Sequence, residues 1–230
     1  MSLRPKILIT AGPTREKLDP VRFISNLSTG EAGYSIARAF QRKKYRVTLV
    51  SGPTCLKPPA GVRYVPILSV KDLQKVLLEL FPSHDVLVMS AAVCDFTPRR
   101  YSSRKLKRSE GLSLRLARTP DLVAALAKRK GKKIVVGFCL ETSRWIERAK
   151  EKLIQKRLDG IVANYYGKGH VPFGRRRVTM ALIGGDLCVH KLNGKTKPQI
   201  ASAVVKWVEG MREMRDPGSR LRERVVSRRS

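Results

Sequence analysis

The chain is 230 residues long, 42% of them hydrophobic and 29% charged, which suffices for one well-buried α/β core. Its 48 Lys and Arg against 18 Asp and Glu give a formal net charge of +30, a field that concentrates anions near the surface. No apolar stretch reaches membrane-helix length and Met1 to Lys6 lack an apolar signal core, so the expectation is a cytoplasmic protein with no membrane partner.

In chain order, residues 6 to 10 form an apolar run typical of a buried parallel strand, and Ile36, Ala37, Ala39 and Phe40 repeat at helical spacing within 30 to 43. Between them runs a long polar loop, from Gly12-Pro13-Thr14-Arg15-Glu16 through Asp19-Pro20-Val21-Arg22-Phe23-Ile24-Ser25-Asn26 to Ser28-Thr29-Gly30. A helix entrance presents unpaired N–H groups and the positive end of the helix dipole, so Ser28, Thr29 and Gly30, with Gly12 at the strand end, are candidates for holding a phosphate. Ser28 and Glu31 equally match a capping box, S-x-x-E, in which Gly30 is merely a small first-turn residue. Neither G-x-G-x-x-G nor G-x-x-x-x-G-K-[ST] occurs, which leaves an ordinary dinucleotide fingerprint and a Walker loop unsupported.

Further strands at 46 to 50, 62 to 66, 85 to 91, 134 to 138 and 159 to 163 alternate with helical patterns at 70 to 81, 120 to 130 and 143 to 157. That order implies a mostly parallel, doubly wound sheet. Ligands of such sheets sit beyond the carboxyl ends of the strands, where Gly12, Ala91-Ala92, Phe138 and Asn164 stand. Val178 to Leu182 and Leu187 to His190 flank Gly184-Gly185-Asp186 as a β-hairpin arm over about 177–191. A helical pattern follows, with Ile200, Val204, Val205 and Val208 on one face of 198–211. Residues 212–230 are arginine-rich without a sustained apolar face, so a domain over 1–211 and a disordered basic tail are expected.

Several side chains along this frame carry candidate chemistry. Met89, Ser90 and Ala91 close a strand with residues small enough at its end for a nucleotide to approach, and Asp95 beyond can accept from ribose or base, or form an Asx-turn. Arg99 to Arg108 holds six basic residues and no acidic one, so this loop must face water or an anion. Pro120, Asp121, Leu122 and Val123 open a helix beside Phe138, an arrangement for sandwiching a base, with a core phenylalanine as the alternative. Lys152 and Lys156, four residues apart on one helix, can both reach one phosphate or base edge, or can be solvated surface lysines. Glu141 is a weaker candidate, for Mg²⁺ or for helix capping. The cysteines (Cys55, Cys94, Cys139, Cys188) and histidines (His84, His170, His190) sit at no ligand spacing, so no structural zinc site is expected and Cys94 and Cys139 read as packing residues.

The opening loop resembles that of the phosphopantothenoylcysteine synthetases, the second half of the bifunctional bacterial coenzyme A biosynthesis flavoprotein. Ala91-Ala92-Val93-Cys94-Asp95-Phe96 is similar to the family's AAVADF, Lys105-Leu106-Lys107-Arg108 to its KxKK, Thr119-Pro120-Asp121-Leu122-Val123 to its N-P-D-[IL] segment and Gly137-Phe138-Cys139-Leu140-Glu141-Thr142 to its GFAAET. Leu158 to Asn164 and Phe173-Gly174 complete an ordered set covering about residues 5 to 208.

The resemblance implies a Rossmann-like three-layer sandwich and a ligase joining 4′-phosphopantothenate to L-cysteine. CTP is preferred over ATP, Mg²⁺ arrives with the triphosphate, no flavin sits on this chain, and a separate phosphopantothenoylcysteine decarboxylase acts downstream. By position it makes Asn26 a residue that orients the acyl intermediate and Lys105 a cation on a mobile flap with Lys107 and Arg108. It places the nucleotide on Met89, Ser90, Ala91, Asp95, Pro120 to Val123, Phe138, Lys152 and Lys156, and the substrate phosphate on Gly12 and Ser28 to Gly30. It also implies a homodimer built with the hairpin arm. Two other classes compete on the residues alone. An NAD(P)-dependent oxidoreductase wants an acidic residue ending the second strand, where Val50-Ser51-Gly52 stands. A nucleic-acid-binding protein explains the charge but not the lack of interleaved aromatics, so incidental polyanion binding is the most that the charge implies.

Overall fold

In the computed structural model, residues 4–108, 112–167, 169–174 and 177–215 are described. The elements run β1 (Lys6–Ala11), β2 (Arg15–Lys17), β3 (Phe23–Ser25), α1 (Glu31–Arg42), β4 (Arg46–Ser51), β5 (Arg63–Pro66), α2 (Val70–Leu80), β6 (Val86–Met89), β7 (Phe96–Pro98) and β8 (Leu116–Arg118). They continue with α3 (Leu122–Ala127), β9 (Ile134–Glu141), α4 (Trp145–Gln155), β10 (Gly160–Tyr165), β11 (Val178–Gly184), β12 (Val189–Lys195) and α5 (Lys197–Arg215). Eight strands form one sheet in the order β12-β11-β10-β9-β6-β1-β4-β5, and two short hairpins, β2-β3 and β7-β8, stand outside it. The expected mostly parallel α/β architecture is therefore present.

The parallel strands are near-continuous apolar runs because both faces of the sheet are covered. Alternation along β1 sends Ile7 and Ile9 to a core beneath α1 and α5, and Leu8 to a second core beneath α2, α3 and α4. Each helix is anchored by its apolar stripe, for example Ile36, Ala37 and Phe40 on α1 and Val204, Val205 and Val208 on α5, all at most 1% exposed.

Two expectations are corrected. The hairpin over 177–191 does not project as an arm: β11 pairs antiparallel with β10 and is buried almost throughout, so β11 and β12 extend the central sheet. The reason is the apolar run from Met180 to Ile183, which an exposed arm would leave in water. The tail does not begin at 212 either, since α5 continues to Arg215, whose guanidinium reaches the carbonyls of Lys132 and Lys133 and the carboxylate of Asp159. The rest of the tail expected to be disordered, residues 216–230, lies outside the described residues.

Strand order reverses between β1 and β6: the chain winds outward through β4 and β5 on one side and through β9 and β10 on the other. Such a switch point opens a crevice at the carboxyl ends of the two strands, and it is here that the polar loops gather.

Candidate active site

Beyond the switch point the two chains leaving β1 and β6 stay zipped together. Ala92 N–H donates to Gly12 carbonyl at 2.9 Å, and Thr14 N–H donates to Ala92 carbonyl at 3.1 Å. The same Ala92 carbonyl accepts the side-chain amide of Asn26 at 3.0 Å. Asn26 is exposed with its side-chain amide held by the Ala92 carbonyl, so the first loop and the Ala91–Asp95 segment form one unit. Met89 is buried with its sulfur accepting from Thr10, and Ser90 donates to Thr10 carbonyl at 2.6 Å. The Met89 side chain belongs to the core, so what it can present to a ligand is main chain. Asp95 is exposed, and its carbonyl accepts from Thr119 N–H at 3.0 Å, which ties the segment to the approach to α3.

Gly30 opens α1 at φ 79° with no side-chain cap, and Ser28 Oγ accepts from Gly30 N–H at 3.3 Å. The capping box between Ser28 and Glu31 is therefore not formed, and the first-turn amides keep no capping side chain. A Cβ on Gly33 would lie 2.6 Å from both Ala11 Cβ and Ser90 Oγ, so glycine is what lets the helix seat against the ends of β1 and β6. A cavity of about 160 Å³ lies in front of this turn, lined among others by Ser28, Thr29, Gly30, Ala91, Phe138, Asn164 and Lys197.

The basic loop is fastened to the first loop. Asp19, 1% exposed, accepts from Val21 and Arg22 N–H at 2.8 and 2.7 Å and from Leu106 N–H at 3.1 Å, and pairs with Arg22 Nε at 3.1 Å. Arg22 in turn donates to Leu106 carbonyl at 2.5 Å. Burial pushes the Asp19 carboxyl up, but the three amide donors and Arg22 outweigh it and hold it below the usual Asp value. Lys105, Lys107 and Arg108 are exposed, and together with Arg22 they line an open cleft of about 610 Å³. Four cations around a cleft of nucleotide size form a field suited to a polyphosphate. Asp19 and Arg22 were not picked out from sequence, although the quoted loop already held an acid and a base three residues apart.

Other candidates separate. Phe138 lies mid-strand, not at a strand end, and its ring packs on the α1 and α5 face. Leu122 and Leu126 of α3 pack on the opposite face, so the Phe138 ring and the Pro120–Val123 turn do not sandwich one base. Strand alternation is the reason: Phe138 shares its face with Val136, not with Cys139. On the α3 side, Asp121 caps α3 by accepting from Ala124 N–H at 3.0 Å, and it pairs with Lys156 at 2.9 Å. Buried Glu141 pairs with Lys152 at 2.5 Å and with Arg148 at 3.3 Å. Its carboxylate is thus the counter-ion of two cations on α4. Among the described residues no three His, Cys, Asp or Glu side chains cluster as metal ligands. Burial pushes the Cys139 thiol up to about 11 and raises Cys94 as well, which leaves both as unreactive packing residues. No described helix is long and apolar enough to cross a membrane.

Comparison with known proteins places these features in context. The family described as DNA/pantothenate metabolism flavoprotein C-terminal domain matches residues 3–211. A coenzyme A biosynthesis bifunctional protein of Bacillus subtilis (strain 168) is 41% identical over 170 residues, 73% of this chain and 42% of that protein. A protein described as cysteine/cysteine sulfinic acid decarboxylase, from an unknown prokaryotic organism, is 37% identical over 206 residues, 88% of this chain and 57% of that protein. The crystal structure of the C-terminal domain of a coenzyme A biosynthesis bifunctional protein superposes with a TM-score of 0.79 at 35% identity, covering 92% of this chain and 97% of that domain. The chain spans about half the length of the curated relatives it matches.

Proposed function

Because the chain belongs to the DNA/pantothenate metabolism flavoprotein C-terminal domain family, we propose that it joins 4′-phosphopantothenate to L-cysteine at the expense of CTP. One observation carries this reading: the Asn26 loop, the Ala91–Asp95 segment and the cationic Lys105–Arg108 loop are bonded to one another at the switch point. A nucleoside triphosphate in the cleft beside Arg22 and Lys105 would rest on a loop bonded to the one that leads into α1.

In the first step a carboxylate oxygen of phosphopantothenate attacks the α-phosphorus of CTP and the bond to pyrophosphate breaks. Lys105 offsets the negative charge that builds on the phosphoryl oxygens, the kind of charge stabilisation that dominates such transfers. In the second step the cysteine amine attacks the acyl carbonyl, CMP leaves and the amine gives up a proton. Asn26, its amide nitrogen held by Ala92 carbonyl, orients the intermediate without moving protons. Lys152 and Lys156 sit beside Asp121 and Glu141 and exchange those partners for the nucleotide. Mg²⁺ would arrive with the triphosphate, since it keeps waters and rides on phosphates. When bound it screens the triphosphate.

No step of the ligation calls for a flavin, and removal of the cysteinyl carboxylate falls to a separate decarboxylase. The activity belongs in the cytoplasm. A homodimer is part of the same reading, and β12, the edge strand of the sheet among the described residues, is where a partner would add. The test is mass-spectrometric detection of phosphopantothenoylcysteine and CMP from phosphopantothenate, cysteine, Mg²⁺ and CTP, with ATP in a parallel arm. Product with neither nucleotide refutes the ligase reading, and product with ATP alone refutes the choice of CTP.

A further inference from the structure

The end of the sheet opposite the crevice gathers a surplus of positive charge that the ligation does not use. Parallel strands begin there and the helices between them end there, so one surface collects strand-opening residues and the last turns of α1, α3, α4 and α5. Register sets the strand openings side by side: Lys6 faces Arg46, Ile7 faces Val86 and Val86 faces Ile134, which puts Asp85 and Lys133 beside Lys6. Around this line stand Arg42 and Lys44 at the end of α1, and Lys128, Arg129 and Lys132 between α3 and β9.

Two ordinary tasks employ cations here, and other residues already perform both. Carbonyls at this end are capped by Arg4 on Lys43 at 2.6 Å, Lys130 on Arg157 at 2.6 Å, Lys133 on Pro82 and His84 at 2.8 and 2.7 Å, and Arg215 on Lys132 and Lys133. The acids are engaged as well: Glu209 with Lys43 and Tyr45, Asp159 with Lys130, Arg215 and Val135 N–H, and Asp85 with Lys6 N–H. Glu213 of α5 is engaged too, which leaves Glu79, in the last turn of α2, as the exposed acid among the last turns of the described helices. Arg42, Lys44, Arg46, Lys128, Arg129 and Lys132 are exposed and make no ion pair among the described residues. Cations crowded in this way concentrate anions over the surface that carries them.

The shape of the surface selects the anion. Five neighbouring strands, β4-β1-β6-β9-β10, make it about 19 Å wide at the usual strand spacing. A nucleic-acid duplex carries one charge per roughly 1.7 Å of axis, so over that width it offers about eleven phosphates, about half of them on one side. The spare cations can meet that number. A single strand would want aromatic side chains on which to stack its bases, and the exposed aromatics stand elsewhere: Phe23, Phe96 and Tyr101 on the loops at the crevice end, Tyr166 past the far end of β10, and Tyr64 on β5 outside the five strands. Helices end on this surface instead of projecting from it, so nothing described enters a groove to read bases. α5 delivers the chain here at Arg215, and the sequence beyond continues in the same sign, with Arg220, Arg222, Arg224, Arg228 and Arg229 against Asp216 and Glu223.

We propose that this end of the sheet is a docking surface for the phosphate backbone of double-stranded nucleic acid, bound without regard to sequence. From Lys6 to Ala11 the strand covers about 16 Å, so the surface and the crevice can be occupied together.

Fluorescence anisotropy of the full chain with a labelled 20-base-pair DNA duplex tests this. For six phosphate contacts, log K should fall against log salt with a slope of about −5. Two unrelated duplex sequences should bind alike, and a single strand of the same length more weakly. The triple variant Arg46→Gln, Arg129→Gln, Lys132→Gln removes three contacts, which should lower affinity about 10²-fold at 0.1 M salt and flatten the slope by about 3, with ligation at the parent rate. A second triple variant, Lys57→Gln, Lys71→Gln, Lys75→Gln, loses the same charge from exposed positions elsewhere and should bind almost as the parent. Equal loss in the two variants is a response to net charge alone and overturns the proposal. So does tighter binding to the single strand, to polyglutamate or to vesicles of anionic lipid than to the duplex. Truncation after Arg215 should weaken binding and leave the difference between the two variants in place; complete loss assigns the binding to the tail and overturns the surface.

Discussion

Gly30→Ala measures how far the opening of α1 depends on the left-handed residue that stands there. Gly30 holds φ 79°, a region that costs an alanine about 1–2 kcal/mol. A Cβ there would also stand 2.7 Å from Thr54 Cγ2 and 3.3 Å from Gly12 N. Thr54 is not free to swing aside, because its hydroxyl donates to Tyr34 Oη at 3.2 Å and accepts from Leu56 N–H at 3.3 Å. Losing one such bond adds about 1 kcal/mol, so the total is about 2–3 kcal/mol, or roughly 5–10 °C in melting midpoint for a chain of this size. Thr54→Ser deletes Cγ2 and keeps the hydroxyl. The double variant should therefore regain the steric part, about 1 kcal/mol, and keep the backbone part. Urea unfolding of the parent, both single variants and the double variant reads all four values. If Gly30→Ala unfolds with the parent, or Thr54→Ser restores it completely, the left-handed conformation is not why glycine stands there and the reasoning fails.

Asn26→Ala should leave pyrophosphate release from CTP and phosphopantothenate detectable while slowing amide formation, and unchanged ligation in that variant removes Asn26 from the site. Lys105→Gln should slow formation of the acyl cytidylate about 10²-fold, which rapid-quench measurement of pyrophosphate reads directly; an unaltered rate rejects the flap assignment. Truncation after Arg215 should leave stability and activity at parent values, whereas truncation after Met211 should lower the melting midpoint by stripping Arg215 from Asp159. Identical midpoints for the two truncations count against that anchor. His84 is held neutral by burial, with Nδ1–H donating to Leu80 carbonyl at 2.6 Å and Nε2 accepting from Thr48 at 3.0 Å, so its pKa lies below 6.5. The unfolded chain then binds the proton first: the His84 contribution is complete above about pH 6.5 and declines as pH falls from there toward the folded value. Comparing urea stability of the parent and His84→Gln from pH 5 to 8 should show a gap that narrows on the acid side, and a gap independent of pH contradicts the neutral buried imidazole.

What the sequence determined by itself is whatever local chemistry specifies. The strands β1, β4, β6, β9 and β10 are legible because a strand covered on both faces must be apolar without a break. The helices α1, α2 and α4 are legible because each must carry a stripe at 3.6-residue spacing. The loops of the site were visible as motifs, since their residue types are unsuited to either pattern. The hairpins β2-β3 and β7-β8 were not visible: three-residue strands have no periodicity to read, and they exist because the first loop and the Ala91–Arg118 segment are fastened together through Asp19, Arg22 and Leu106. Only the tertiary structure decided which face of the sheet each candidate serves. It set Phe138 toward α1 and Lys197, and Glu141 toward Lys152, because one residue of strand register separates opposite sides of a layer. It alone also brought Lys197 to Asn164, 33 positions away, since burying the apolar stripe of α5 against the sheet carries the start of that helix to the switch-point face. Such long-range placement is set by packing of the whole core, which no window of residues contains.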